Sequence, residues 1–158
     1  MKIAFFGTSE FVGAVQHARF LRGLVAAGVK PALVITAPDV LNERGRDFAP
    51  GAVRAAALEF GLPVLQPPTL KGFSEELAGR EVELSLVVAY GKILPQDVLA
   101  APKFGALNVH PSLLPELRGA SPIQSALLRG DERTGVTLYL MDALMDHGPI
   151  IAARDMLI

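Results

Sequence analysis

The stretch GALNVHPSLLPELRGASPIQSALLRGDERTGVTLYLM (residues 105–141) decides the fold. It opens on GALNV (105–109), a short apolar run of the kind a buried parallel strand needs, because both faces of such a strand are covered. Two prolines and a basic residue beside a glycine follow. Ser121, Pro122 and Gln124 then predict a helix start: a cap, a proline at the first helical position and a reciprocal partner three residues after the cap. That helix is expected to run to Leu128 and to end at Gly130. GVTLYLM (135–141) is the next strand. A strand–helix–strand unit predicts a return parallel to 105–109, with both carboxyl ends on one edge of the sheet.

The same alternation extends upstream. KIAFF (2–6) is an apolar run stopped by Gly7, and Thr8 or Ser9 can cap the helix that follows. Phe11, Ala14, Val15, Ala18, Leu21, Leu24 and Val25 recur at three and four, one face of that helix, and Gly28 ends it. ALVIT (32–36) reads as a second buried strand. APDVLNERGRDFAPG (37–51) reads as a loop rich in Pro, Gly and charge, long enough to suggest a functional role. A short helix (52–60), a short strand PVLQ (63–66), a helix over 72–79 and a strand ELSLVVAY (83–90) closed by Gly91 come next. PIIAARDML (149–157) is the last strand, expected antiparallel at the sheet edge. The predicted fold class is α/β, a Rossmann-like, doubly wound, mostly parallel open sheet with an antiparallel edge strand.

The chain has 158 residues, which is close to the size of one domain and long enough to bury a full core. A net charge of −1 gives no global pull towards nucleic acid or membrane. The absence of cysteine excludes disulfides and thiolate metal sites. No apolar run approaches the roughly 18 to 20 residues needed to span a bilayer. MKIAFFGTSEF runs straight into polar residues and reads as a buried strand, not a signal peptide. A cytoplasmic protein is the expectation.

Open parallel sheets bind ligands beyond the carboxyl ends of their strands. Asn108 and His110 stand at the end of the strand 105–109. Asp142 and Asp146 follow the strand 135–141, so an amide, an imidazole and a carboxylate can converge. No serine or cysteine nucleophile accompanies them. FFGTSEF holds a single glycine where a dinucleotide fingerprint needs three. One histidine with one or two aspartates, with His147 nearby, is not a metal-ligand spacing, and no metal is expected. Acyl transfer to an amine suits the set better. An Asn amide donates to a tetrahedral oxyanion without carrying charge, a histidine donates or takes the amine's proton, and a carboxylate orients the imidazole. The plainer alternatives are that Asn108 and His110 shape the turn before and at Pro111, and that the two aspartates cap a loop.

These residues also carry a resemblance. NVHPSLLPELRGASPIQSALLRGDERTGVTLYLMDALMDHGPI (108–150) closely resembles the formyltransferase domain of the methionyl-tRNA formyltransferases, in the 10-formyltetrahydrofolate-dependent family. KIAFFGTSEF (2–11), the PD…RGR…P…V pattern (38–53), GLPVLQPPTL (61–70) and VVAYGKILPQDVL (87–99) fall in that family's order, so the whole chain is covered. The resemblance implies catalytic roles for Asn108, His110 and Asp146. It implies contacts to 10-formyltetrahydrofolate, the formyl donor, from Ser112, Leu113, Leu114 and Pro115. Tyr90, Ile93 and Leu94 are expected to add to the same pocket, or to pack in the core. Arg44 and Arg46 resemble the segment near the tRNA acceptor end, and initiator methionyl-tRNA is the implied acceptor.

The sequence departs from the family pattern at Val40, Glu43, Asp47 and Glu116, where basic residues or a glycine are common. The expected consequence is weaker tRNA contact. The family normally continues beyond this region with further helices, a linker and a carboxyl-terminal barrel. Residues 1–158 are therefore expected to be the catalytic domain without that barrel. Two other readings remain: a formyltransferase for a small amine (a sugar amine or a glycinamide), and a folate-binding module without turnover.

Overall fold

The structure is a computed structural model that describes residues 1–8, 14–41, 48–49 and 51–158. Seven strands form one sheet in the order β5-β2-β1-β6-β7-β8-β9. They are β1 (Ile3–Gly7), β2 (Leu33–Ile35), β5 (Val64–Leu65), β6 (Leu84–Val88), β7 (Ala106–His110), β8 (Arg133–Leu140) and β9 (Ile150–Leu157). The first five run parallel to one another. The alternation of side chains along β1 explains the two layers. Ala4 and Phe6 enter one core with Phe73 and Leu77 of α3 (Phe73–Gly79) and Val98 and Leu99 of α4 (Gln96–Ala100). Phe5 enters the other core, with Ala18 and Leu21 of α1 (Ala14–Ala26) and Val53, Ala56 and Ala57 of α2 (Ala52–Glu59). Phe6 is fully buried, with its ring edge-on to Tyr90 at 5.3 Å and to Phe73 at 6.3 Å. Burial of one such ring stabilises the fold by about 1.5–3 kcal/mol.

The mostly parallel α/β sheet with an antiparallel edge is present, but one connection differs from expectation. β8 runs antiparallel to β7, with Leu107 opposite Leu140 and His110 opposite Thr137. The intervening helix α5 (Pro122–Arg129) has 8 residues. It delivers the chain beyond the carboxyl end of β7, and β8 descends from there beside it. β9 is antiparallel to β8 and forms the edge, as anticipated. It leaves Ile150, Ile151, Met156 and Leu157 exposed.

Three smaller differences concern local chemistry. Ser121 occupies the cap position of α5 with Pro122 behind it, yet its side chain makes no cap hydrogen bond, so the reciprocal pair with Gln124 is not formed. Gly130 ends α5 at φ 71°, where a left-handed residue is required. Helix α4 was not foreseen from sequence, although Pro95 at its cap and Asp97 in its first turn are a start signal. The 37–51 region carries two short strands, β3 (Val40–Leu41) and β4 (Phe48–Ala49), paired antiparallel. Its base is held by Asp39. That carboxylate accepts from Arg54 at 2.7 Å, from Gln66 at 3.0 Å and from the Gly51 N–H at 3.2 Å. Glu43, Arg44, Arg46 and Asp47 lie outside the described residues.

Candidate active site

The chain turns from β2 and β5 on one side of β1 to β6 and β7 on the other, so the switch of direction lies between β1 and β6. Ligands of open α/β sheets sit beyond the strand ends at such a point. Here the backbone leaves β6 through Ala89 at φ 46° and Gly91 at φ 78°. β7 is the next strand along.

Asn108 and His110 are two residues apart on β7 and therefore face the same side, the side of α3 and α4. Because β8 descends beside β7, Tyr139 stands directly opposite Asn108 and Thr137 opposite His110. The β8–β9 hairpin loop then folds back over this face and delivers Asp146. The Tyr139 hydroxyl donates to Asp146 Oδ1 at 2.8 Å and accepts from Asn108 Nδ2 at 3.0 Å. The Gly119 N–H donates to Asp146 Oδ2 at 2.7 Å. Asp146 Oδ2 also faces His110 Nδ1 at 3.6 Å. The amide, the imidazole and the distant acid thus converge, by a route other than the parallel return expected from sequence.

His110 is 4% exposed. Its Nε2 lies 3.0 Å from the Leu117 carbonyl. A carbonyl only accepts, so Nε2 carries a proton, and Nδ1 is left pointing at the carboxylate. Leu117 and Asp146 both adopt positive φ, 55° and 48°, an arrangement ordinary residues hold only when their surroundings fix it. Burial and the adjoining Asp146 carboxylate push the Tyr139 phenol above the ordinary tyrosine range, and the Asn108 N–H pulls slightly the other way. Its neutral, donating form is thereby favoured. At the mouth of the same loop, Asp142 accepts from His147 Nδ1 at 2.9 Å and from the Leu144 N–H at 2.8 Å. The His147 bond, followed by the Leu144 bond, lowers the Asp142 carboxyl below its usual value.

The Ser112–Pro115 turn is pinned to β8. Thr137 Oγ1 donates to the Ser112 carbonyl at 2.7 Å and accepts from the Leu114 N–H at 3.1 Å. Ser112 Oγ donates to the Glu116 carbonyl at 2.7 Å, and the Glu116 N–H donates to the Leu113 carbonyl at 3.0 Å. The polar backbone groups of this turn are therefore largely used internally. Leu113 and Leu114 are half-buried and Pro115 is exposed. Glu116 stands near Arg129, 3.6 Å away.

The structure separates the remaining candidates. Tyr90 and Leu94 are buried in the α3/α4 core. Ile93 is 87% exposed. With Pro68, Lys71, Lys92 and Asp97 it lines a surface cavity of about 360 Å³ that includes neither Asn108, His110 nor Asp146. Arg44 and Arg46 lie outside the described residues. No group of three or more His, Cys, Asp or Glu among the described residues is placed to hold a metal ion. None of the described helices is long and apolar enough to cross a membrane. Sequence reasoning missed Tyr139, Thr137 and the Gly119 N–H. The antiparallel register would have revealed the first two, because it sets them opposite Asn108 and His110.

A family model described as Formyl transferase matches residues 1–158. The methionyl-tRNA formyltransferase of Methylococcus capsulatus is 50% identical over 156 residues, which are 98% of this chain and 49% of that protein. The chain spans about half the length of the curated relatives it matches. Among solved structures, phosphoribosylglycinamide formyltransferase from Bacillus halodurans aligns with a TM-score of 0.78 at 24% identity, covering 100% of this chain and 80% of that one. A formyltetrahydrofolate deformylase from Pseudomonas syringae aligns with a TM-score of 0.75 at 19% identity, covering 99% of this chain and 51% of that one. The last two likenesses concern the fold. With its whole length matched by one family and nearly all of it aligned to a relative at 50% identity, this chain belongs to the formyl transferase family.

Proposed function

We propose that this chain transfers a formyl group from 10-formyltetrahydrofolate to the amino group of methionyl-tRNA, with Asn108, His110 and Asp146 as the reacting-site residues. The observation that carries this reading is the cluster in which Tyr139 hydrogen-bonds both the Asn108 amide and the Asp146 carboxylate, while the buried His110 Nδ1 faces the same carboxylate at 3.6 Å. Relatives that align with almost all of this chain bear the name methionyl-tRNA formyltransferase, which favours the tRNA acceptor over a small amine.

The chemistry is an acyl transfer. The acceptor amine forms a bond to the formyl carbon, the carbonyl oxygen gains negative charge, and the bond from that carbon to N10 of the folate then breaks. The proton lost by the amine ends on N10. An amide nitrogen carries two hydrogens. Asn108 spends one on Tyr139, and the other donates to the oxyanion. His110 takes up the amine's proton at Nδ1, which faces the Asp146 carboxylate at 3.6 Å. The charged ring stabilises the oxyanion, and the Asp146 side relays the proton onward. Leu113 and Leu114 give the pterin an apolar wall, with Ser112 and Pro115 setting the turn. Arg44 and Arg46 contact the tRNA backbone, and the missing positive charge at Val40, Asp47 and Glu116, with the added negative charge at Glu43, weakens that contact.

The test is a transfer assay with 10-formyltetrahydrofolate that compares methionyl-tRNA with glycinamide and sugar amines. Formylation of the charged tRNA at a far higher kcat/KM supports the reading. Transfer to small amines alone would reassign the acceptor, and donor binding with no transfer to any amine would reject turnover.

A further inference from the structure

We infer that Tyr139 is a positioning residue for this site, its hydroxyl fixing both the plane of the Asp146 carboxylate and the orientation of the Asn108 amide. The inference rests on the formyl-transfer reading and deepens it.

Asp146 reaches the site from a hairpin loop, not from a strand, and no ladder register sets its side chain. Two donors do so instead. Tyr139 O–H holds Oδ1 at 2.8 Å and the Gly119 N–H holds Oδ2 at 2.7 Å. With both oxygens held, the carboxylate cannot rotate, and Oδ2 stays turned towards His110 Nδ1. The direction of each bond follows from the inventory of donors. An ionised carboxylate only accepts, so the phenol proton lies towards Asp146. The phenol oxygen then has only lone pairs for Asn108, so the amide must present Nδ2, at 3.0 Å. Without the hydroxyl nothing forbids the amide from turning over. Its carbonyl oxygen would then face a developing oxyanion and repel it. One hydroxyl on β8 thus keeps a donor aimed at the reacting atoms and a carboxylate aimed at the imidazole. The two bonds reinforce each other, because donation to an anion makes the phenol oxygen a stronger participant in the chain.

The experiment uses Tyr139→Phe in the full chain, which removes one oxygen and keeps the buried ring. With 10-formyltetrahydrofolate and methionyl-tRNA, kcat falls at least about tenfold, the scale of a hydrogen bond to a charged group. KM for the formyl donor stays within about twofold, since the turn at 112–115 is held by Thr137 and not by Tyr139. The groups facing Asp146 are His110 on β7, Tyr139 on β8 and the Gly119 N–H, with the Asp142–His147 pair in its own loop. A crystal structure of the variant shows the Asp146 carboxylate turned away from His110. A purely structural role would lower the melting temperature and leave kcat per folded molecule alone, and that result overturns the inference. If the wild type formylates no amine, the proposed function falls. The variant's crystal structure then decides the positioning role alone, and unmoved Asn108 and Asp146 side chains reject it.

Discussion

Asn108 and Tyr139 lie directly opposite each other on β7 and β8, with the amide nitrogen 3.0 Å from the phenol oxygen. That pairing exists only because β8 descends antiparallel to β7. It links a strand-end amide to the acid of a loop 38 residues later, through one shared hydroxyl. A cross-strand pair is the unit by which a sheet converts register into side-chain contact, and here the contact is polar and half-buried.

The first prediction concerns the proton on Tyr139. Burial and Asp146 raise its phenol above the ordinary tyrosine range, so the folded state holds a proton that the unfolded chain releases near pH 10. Its contribution to stability is present below about pH 10 and is lost as the pH rises beyond it. The chain has two tyrosines, so the signal is readable. In absorbance titrations at alkaline pH, wild type and Tyr139→Phe should gain phenolate signal equally while both stay folded. An extra phenolate in the wild type near pH 10 would contradict the buried, donating hydroxyl.

A second prediction follows from close packing at two glycines. A Cβ on Gly135 would lie 2.5 Å from Leu113 Cδ2 and would collide with the Arg154 carbonyl. One on Gly148 would collide with the Leu140 carbonyl at the base of the loop that carries Asp146. Gly135→Ala and Gly148→Ala should each cost about 1–3 kcal/mol in urea unfolding, the range for an overpacked site. Gly135→Ala should in addition weaken folate binding by displacing Leu113, and Gly148→Ala should lower turnover by displacing Asp146. Unchanged unfolding midpoints would show that β8, β9 and the loop pack less closely than described.

Thr137 provides the third. It is fully buried and joins two backbone groups of the turn at 112–114. Thr137→Val keeps the shape and orphans the Ser112 carbonyl and the Leu114 N–H. The expected loss is about 1–3 kcal/mol of stability, with weaker donor binding measured by fluorescence titration. A variant as stable and as tight as wild type would remove Thr137 from the account.

How much of this was legible in the sequence depends on the kind of signal. KIAFF and ELSLVVAY announce buried strands because apolar runs stopped by glycine have few other uses, and Asn108 and His110 at the end of GALNV mark the edge where Asp146 also arrives. Gly130 announces the end of α5 because its left-handed backbone suits little else. Strand direction was not legible. GVTLYLM reads alike in either orientation, and helix length does not settle it, since the shorter α4 joins the parallel pair β6 and β7. Tyr139 was hidden for that reason, since its role depends on which residue it opposes. The capping pair of Ser121 and Gln124 failed differently: the pattern places the helix start correctly, but nothing in it obliges the hydroxyl to bond. Ile93, expected in the pocket or the core because it follows the strand 83–90, is turned to solvent by the loop after β6.

The central claim, that the amide, imidazole and carboxylate act together on a formyl group, is tested most directly by the single-turnover rate of His110→Ala with 10-formyltetrahydrofolate and methionyl-tRNA. The account predicts a fall of about two to four orders of magnitude, the scale for such groups, in a protein that remains folded and still binds the donor. A folded His110→Ala protein that transfers formyl at close to the wild-type rate would contradict it.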